Sequence, residues 1–218
     1  MIRLCETFTS VQGEGLTVGK PAFFIRTGKC SVGCRFCDTK YSWNSYRLAP
    51  VEELAELAAK QPLKTVIITG GEPLEELQLP ELIEKLLSFG KEVIVESCGH
   101  RFREDLPQGA LLVLSPKPPS MGAPFPYEEV EKFLKRYRKV QLKFTVYDEE
   151  DLNYALNFME SRRELLPKEV VLQPLEVPGE EYAATCKKVV EMALKRPEAV
   201  KRFGIRVIPQ VHKLLGIK

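Results

Sequence analysis

An α/β fold, arranged as an incomplete TIM-like barrel and spanning residues 1–218 as one domain, is what three features of the sequence predict. Short β-branched runs alternate with segments of helical periodicity, and such alternation builds parallel strands joined by helical crossovers. The chain has 218 residues, short for a closed eight-fold barrel, which takes about 250. Segments rich in Gly, Pro, Ser and Cys follow the predicted strands, at the end where such folds collect their chemistry.

The elements follow in order. The apolar run Ala22–Thr27 predicts the first strand, and Val51–Lys60 a helix that Pro50 can open because its missing N–H costs little there. Thr65–Thr69 is a β-branched strand, and Leu77–Phe89 repeats apolar residues at three and four. Glu92–Glu96 and Leu111–Leu114 are short buried-strand runs. Pro126 introduces a predicted helix at Tyr127–Arg138, before the strand Val140–Val146. Glu149–Ser161 and Glu180–Lys195 carry helical periodicity, with strands predicted at Val170–Gln173 and Gly204–Ile208.

Charge is nearly balanced, with 32 Lys and Arg against 30 Asp and Glu, so no basic stripe argues for nucleic acid as a partner. No secretory h-region or membrane-length apolar stretch is present, which points to a cytoplasmic setting. Cysteines in a reducing compartment serve as metal ligands or free thiols more than as disulfides.

Cys30, Cys34 and Cys37 stand on one short loop, with three and then two residues between them. A 4Fe–4S cluster usually takes four thiolates, so three leave one iron open to a small molecule. Structural zinc wants a fourth ligand, and no second Cys-x2-Cys pair is present, although Cys5, Cys98 or a histidine could complete a site. After a predicted strand comes Thr69-Gly70-Gly71-Glu72-Pro73, where glycine lets the backbone approach a ligand closely.

The cysteine spacing, Phe36 before the last cysteine and the Gly-Gly-Glu-Pro loop resemble the radical S-adenosylmethionine superfamily. The order of Phe8–Gly15, Arg26, Cys37-Asp38-Thr39, Ser115-Pro116-Lys117 and Pro209–Lys213 is similar to the 7-carboxy-7-deazaguanine synthase family over nearly the whole chain. The resemblance implies the superfamily's incomplete barrel. It also implies conversion of 6-carboxytetrahydropterin to 7-carboxy-7-deazaguanine, with ring contraction and ammonia loss, on the queuosine pathway. A 5′-deoxyadenosyl radical would start the reaction and S-adenosylmethionine would be regenerated.

By the same resemblance Cys30, Cys34 and Cys37 hold the 4Fe–4S cluster, and Thr39 contributes to a magnesium ion. Gln12, Gly13, Glu14, Arg26 and Thr69 would contact the pterin; Phe36, Asp38, Gly71, Glu72, Ser97, Ser115, Lys117 and Gln173 would line the S-adenosylmethionine pocket. Arg26 suits a carboxylate bidentately but could equally make a strand-end salt bridge. Thr39 could instead cap a helix. Glu96-Ser97-Cys98-Gly99 departs from the family's Glu-Thr-x-Gly by adding a thiol. A flavodoxin or ferredoxin as electron donor and a homodimer are further implications, and the final Leu214–Lys218 is expected near the pterin. Two alternatives stay open: a glycyl-radical-enzyme-activating protein, and a noncatalytic zinc- or cluster-binding module.

Overall fold

The computed structural model describes residues 1–122 and 125–218. Its strands are β1 (Ile2–Val11), β2 (Pro21–Thr27), β3 (Arg47–Ala49), β4 (Thr65–Gly70), β5 (Glu92–Ser97), β6 (Leu111–Leu114), β7 (Val140–Val146), β8 (Val170–Pro174) and β9 (Ile205–Val207). They form one sheet in the order β3-β1-β2-β4-β5-β6-β7-β8-β9. From β2 onward every neighbouring pair is parallel, while β1 runs antiparallel to both β2 and β3. The sheet is not closed, since β3 and β9 are its two edges. This is the incomplete barrel that the alternation predicts.

The helices are α1 (Val51–Ala59), α2 (Leu79–Ser88), α3 (Tyr127–Arg136), α4 (Glu149–Ser161), α5 (Tyr182–Leu194), α6 (Pro197–Phe203) and α7 (Val211–Leu215). None is long and apolar enough to cross a membrane among the described residues. Asp148 caps α4 by accepting from the Asp151 N–H at 3.0 Å, and Gly204 ends α6 in the left-handed region.

Four elements lie outside those predicted: β1, β3, α6 and α7. Phe8–Val11, the start of the Phe8–Gly15 motif, is the end of the ten-residue strand β1. Its alternation is masked because the register shifts between Leu4 and Glu6, and the residues beyond are only half buried. Pro209–Lys213, read as a bare motif, runs into the short helix α7.

The sheet has two faces of opposite character. Toward the helices point Phe23, Ile25, Val66, Ile68, Val95, Leu112, Leu142 and Phe144, which join Leu54, Leu82 and Leu86 in the main core. The other face starts apolar: Phe24, Ile67 and Ile94 are register partners and form a second, smaller core with Val113. Two residues further along the same strands that face turns polar. Arg26 pairs with Thr69, and Glu96 follows Ile94. Lys143 and Thr145 take the same face of β7, and Thr145 pairs with Gln173 of β8. The period of two therefore places an apolar plug at one end of the strands and a polar floor at their C-terminal ends.

Candidate active site

Above that floor lies a cavity, and every cluster, magnesium, pterin and S-adenosylmethionine residue named from the sequence lines it. Its walls are built in two different ways.

The first wall is made by two loops locked to each other through the backbone. The Gly71 N–H donates to the Thr27 carbonyl at 2.9 Å, and the Glu72 N–H to the Lys29 carbonyl at 3.0 Å. A Cβ on Gly71 would stand 1.9 Å from the Lys29 oxygen, so only glycine allows this approach. The cysteine loop leaves from that junction. Gly33 turns it with φ of 70°, and the Arg35 N–H donates to the Met121 carbonyl at 2.8 Å. Cys34 packs with Met121 and Leu175, and Phe36 and Cys37 adjoin the same apolar cluster. Burial pushes the Cys30 thiol up to about 11 and raises that of Cys34, so these groups ionise readily only when a metal takes the proton's place. Three thiols facing one cavity suit a cluster with three protein ligands.

Glu72 is the strut between this wall and β5. Its Oε1 accepts from the Leu74 N–H at 3.0 Å and from the Ser97 hydroxyl at 2.6 Å. Its Oε2 accepts from the Cys98 N–H at 3.0 Å and the Cys98 thiol at 2.9 Å. Ser115 and Lys117 follow β6, with Lys117 Nζ 3.5 Å from the Ser115 hydroxyl. Two buried polar atoms on the floor, Thr145 Oγ1 and Gln173 Oε1, have no hydrogen-bond partner among the described residues. Buried polar groups are rarely left so, and these are the groups a polar cofactor lying across β7 and β8 would satisfy.

The second wall is a buried charge network that crosses the sheet. Lys143 Nζ bonds Glu14 and stands 3.0 Å from Glu96 Oε2. The Gln12 amide donates to Glu96 at 2.8 Å, and the Gln210 amide to Glu14 at 2.6 Å. Burial alone would raise the Glu14 carboxyl, but Lys143 and Gln210 hold it down at about 2. The Glu96 carboxyl is raised by burial, and one lysine cannot neutralise both neighbours. Burial works against the Lys143 ammonium, yet the two carboxylates hold it charged.

Arg26 donates through Nε to Glu6 at 2.9 Å, so the salt-bridge alternative describes this structure. Its terminal nitrogens make no hydrogen bond among the described residues, and its guanidinium lies 5.3 Å from the Phe8 ring centroid. Thr39 caps no helix with its side chain; its hydroxyl is 3.5 Å from Cys37 Sγ. Asp38 is half exposed and pairs with Lys213 at 3.0 Å. Helix α7 seals the cavity's rim. The Val211 N–H donates to the Gly13 carbonyl at 2.9 Å, and His212 packs so tightly on Gly13 that a Cβ there would meet Nδ1 at 2.1 Å. Burial lowers the His212 pKa and keeps the ring neutral. Of the final segment, Lys218 reaches the cavity, bonds Glu6 and lies 4.9 Å over the Phe8 ring, while Leu214 and Leu215 are exposed.

The sequence reading missed Lys143, Glu96, Thr145 and Gln210 as cavity residues. The alternation of Val140–Val146 was the available signal for Lys143 and Thr145, because it sets Gln141, Lys143 and Thr145 on one face of the strand. Gln210 offers no such local mark.

A family model described as the radical SAM superfamily matches residues 24–110. A protein of Aquifex aeolicus named 7-carboxy-7-deazaguanine synthase is 35% identical, covering 100% of this chain and 95% of its own. Another of that name, from Thermoplasma acidophilum, is 30% identical over 97% of this chain and 96% of its own. The crystal structure of QueE from Escherichia coli shares the fold with a TM-score of 0.75 at 24% identity, covering 97% of this chain and 94% of that one.

Proposed function

The chain belongs to the 7-carboxy-7-deazaguanine synthase family of radical S-adenosylmethionine enzymes, and on that premise we propose how its cavity divides the work. The enzyme is a carbon–nitrogen lyase that converts 6-carboxytetrahydropterin to 7-carboxy-7-deazaguanine, contracting a ring and releasing ammonia. The observation that carries the division is that the three thiols and the buried charge network line the same cavity.

Cys30, Cys34 and Cys37 are the ligands for a 4Fe–4S cluster, which together with S-adenosylmethionine supplies the radical chemistry when bound. Glu72 and Gly71 shape the pocket beside it, Phe36 offers an apolar face, and Thr145 and Gln173 offer unspent hydrogen-bonding atoms to the cofactor. Ser97, Ser115, Lys117 and Asp38 border that half of the cavity.

The charged wall orients the pterin. Glu14, ionised at neutral pH, accepts from the N–H groups of the pyrimidine edge, while Gln12 and Glu96 contribute an adjoining donor and acceptor. Arg26, held by Glu6 through one nitrogen, presents its other two to the substrate carboxylate, with Thr69 beside it in register. Thr39 supplies one oxygen to a magnesium ion that otherwise takes water and substrate oxygens, the ligand set this ion prefers. An electron-transfer protein such as flavodoxin or ferredoxin, a homodimeric assembly, a cytoplasmic setting and a place upstream of queuosine in tRNA complete the reading.

The test is an anaerobic assay of cluster-loaded protein with 6-carboxytetrahydropterin, S-adenosylmethionine, magnesium and a strong reductant, followed by mass spectrometry. Product over many turnovers without matching loss of S-adenosylmethionine, abolished by Cys30→Ala, is the expected result. Cleavage of S-adenosylmethionine to 5′-deoxyadenosine without product would move the radical chemistry to another substrate.

A further inference from the structure

At the glycine loop, Glu72 meets two side chains to which the reaction assigns no role, Cys98 and His100. Glu72, Cys98 and His100 each place one ligand atom within 4.8 Å of the others. Cys98 Sγ is 2.9 Å from Glu72 Oε2 and 3.3 Å from His100 Nδ1, and His100 Nδ1 is 3.8 Å from Glu72 Oε2. A tetrahedral zinc ion with bonds of about 2.0–2.3 Å to O, N and S separates its ligands by roughly 3.3–3.6 Å. The three atoms therefore need to move by only a few tenths of an ångström to about half an ångström to hold one.

A second observation is independent of that spacing. The other ring nitrogen of His100, Nε2, is 3.2 Å from Glu75 Oε1, which fixes the ring so that Nδ1 faces the cysteine. A carboxylate behind a histidine is the usual outer support of a zinc ligand. Glu72 is supported likewise, because the Ser97 hydroxyl and the Leu74 N–H hold Oε1 and leave Oε2 toward Cys98. Gly99, at φ of 75°, folds the chain so that Cys98 and His100 come together.

We propose that Glu72, Cys98 and His100 form a zinc site separate from the cluster loop, with one coordination position left for water. The mixed S, N and O donor set suits zinc and not magnesium, which takes oxygen. On binding, the Cys98 thiol gives its proton to solvent, and two metal bonds replace the Cys98–Glu72 hydrogen bond. The ion ties the glycine loop to the turn after β5. Through Glu75, which also accepts from the Ser31 N–H at 3.1 Å, it reaches the residue next to Cys30. Its role is to brace the cluster wall, and it goes beyond the synthase reaction.

The experiment needs no substrate, so its outcome is separate from that of the activity assay. Cluster-loaded protein is given one equivalent of Zn2+ anaerobically, desalted, and measured for zinc, iron and sulfide, and by X-ray absorption at the zinc edge. The expected result is about one zinc per chain with iron and sulfide unchanged, and a single sulfur at about 2.3 Å. Cys98→Ser and His100→Gln should each lose retained zinc, and Glu75→Gln should weaken binding by about 10–100-fold. Zinc with three sulfur neighbours and displaced iron would mean that it had entered the cysteine loop, which overturns the proposal. No retained zinc overturns it too, as does equal retention in Cys98→Ser and His100→Gln protein whose cluster content shows that it folds.

Discussion

The two walls of the cavity differ in how far along the chain their parts come from. The cluster wall is assembled from the cysteine loop and the glycine loop, and backbone hydrogen bonds from Gly71 and Glu72 hold the two together. The charged wall is local only at Gln12 and Glu14, and its other contacts span long separations. Lys143 is 129 residues from Glu14, and Gln210 is 196 residues from it. The first wall is a matter of loop composition, while the second exists only once the sheet has brought β5 and β7 together with the turn after β1. Damage to the first should remove the cluster and spare the fold, and damage to the second should spare cluster binding and cost stability together with pterin binding.

The largest effect expected is on the cluster wall. Cys30→Ser should reduce bound iron and sulfide to background and abolish product formation. The metal-free protein should unfold at nearly the wild-type urea concentration, since Cys30 is only partly buried and serine is nearly the same size. A variant that kept its cluster would show that the three thiols are not the ligand set.

Next comes Lys143→Met, which leaves Glu14 and Glu96 facing each other without a cation. Removing one partner of a buried ionic group costs roughly 3–5 kcal/mol. Urea unfolding of the metal-free variant should show a loss of that order, with cluster-binding capacity retained wherever the protein is folded. Glu14→Gln added to Lys143→Met should recover part of the loss, a coupling that a double-mutant cycle measures. Additive effects would mean that the network is not a unit, and the contrast between the walls would fall.

The same contrast explains how much was legible in the sequence. Cys30, Cys34, Cys37, Gly71 and Glu72 announce themselves because loop chemistry is written in consecutive residues. The strands β4 to β8 were legible for the same reason: Val66–Ile68 or Leu111–Leu114 fit few environments other than a buried strand. Strand β1 was not, because a register shift and half-buried positions erase its alternation. Glu96 and Gln210 were hidden differently. Each looks like an ordinary polar residue until the topology brings it against Gln12 or Glu14, and no local pattern encodes that meeting.

A smaller effect comes from the pair that braces the cluster wall from behind. Burial disfavours the Glu75 carboxylate, but His100 and Ser31 hold it at about 2, below its ordinary 4.5. Its contribution to stability is complete above pH 4.5 and is lost as pH falls toward about 2. The hydrogen bond to Glu75 raises the His100 pKa above 6.5, so that contribution is complete below 6.5 and fades as pH rises through the raised value. The pair therefore stabilises most between pH 4.5 and 6.5. In metal-free protein, Glu75→Gln should cost roughly 1–2 kcal/mol in that window and less on either side. A cost independent of pH would leave Glu75 as packing alone.

The smallest effect is the most diagnostic, because its sign changes with what the cavity holds. Thr145 Oγ1 is buried at the floor with no partner among the described residues, beside Gln173 Oε1 in the same condition. An unsatisfied buried hydroxyl is a cost to the empty fold, and valine has nearly the same shape without it. Thr145→Val should therefore leave the cofactor-free protein as stable as wild type or more stable by up to about 1 kcal/mol. If S-adenosylmethionine supplies the missing partner, the same substitution removes a hydrogen bond worth about 1 kcal/mol from the complex, weakening binding roughly fivefold. Calorimetric binding to cluster-loaded protein and urea unfolding of the cofactor-free form measure the two halves. Opposite signs would show that the floor is left unsatisfied in the free fold in order to recognise the cofactor. A loss in both would mean that Thr145 serves the fold, and the division of labour between the cavity's walls would not extend to its floor.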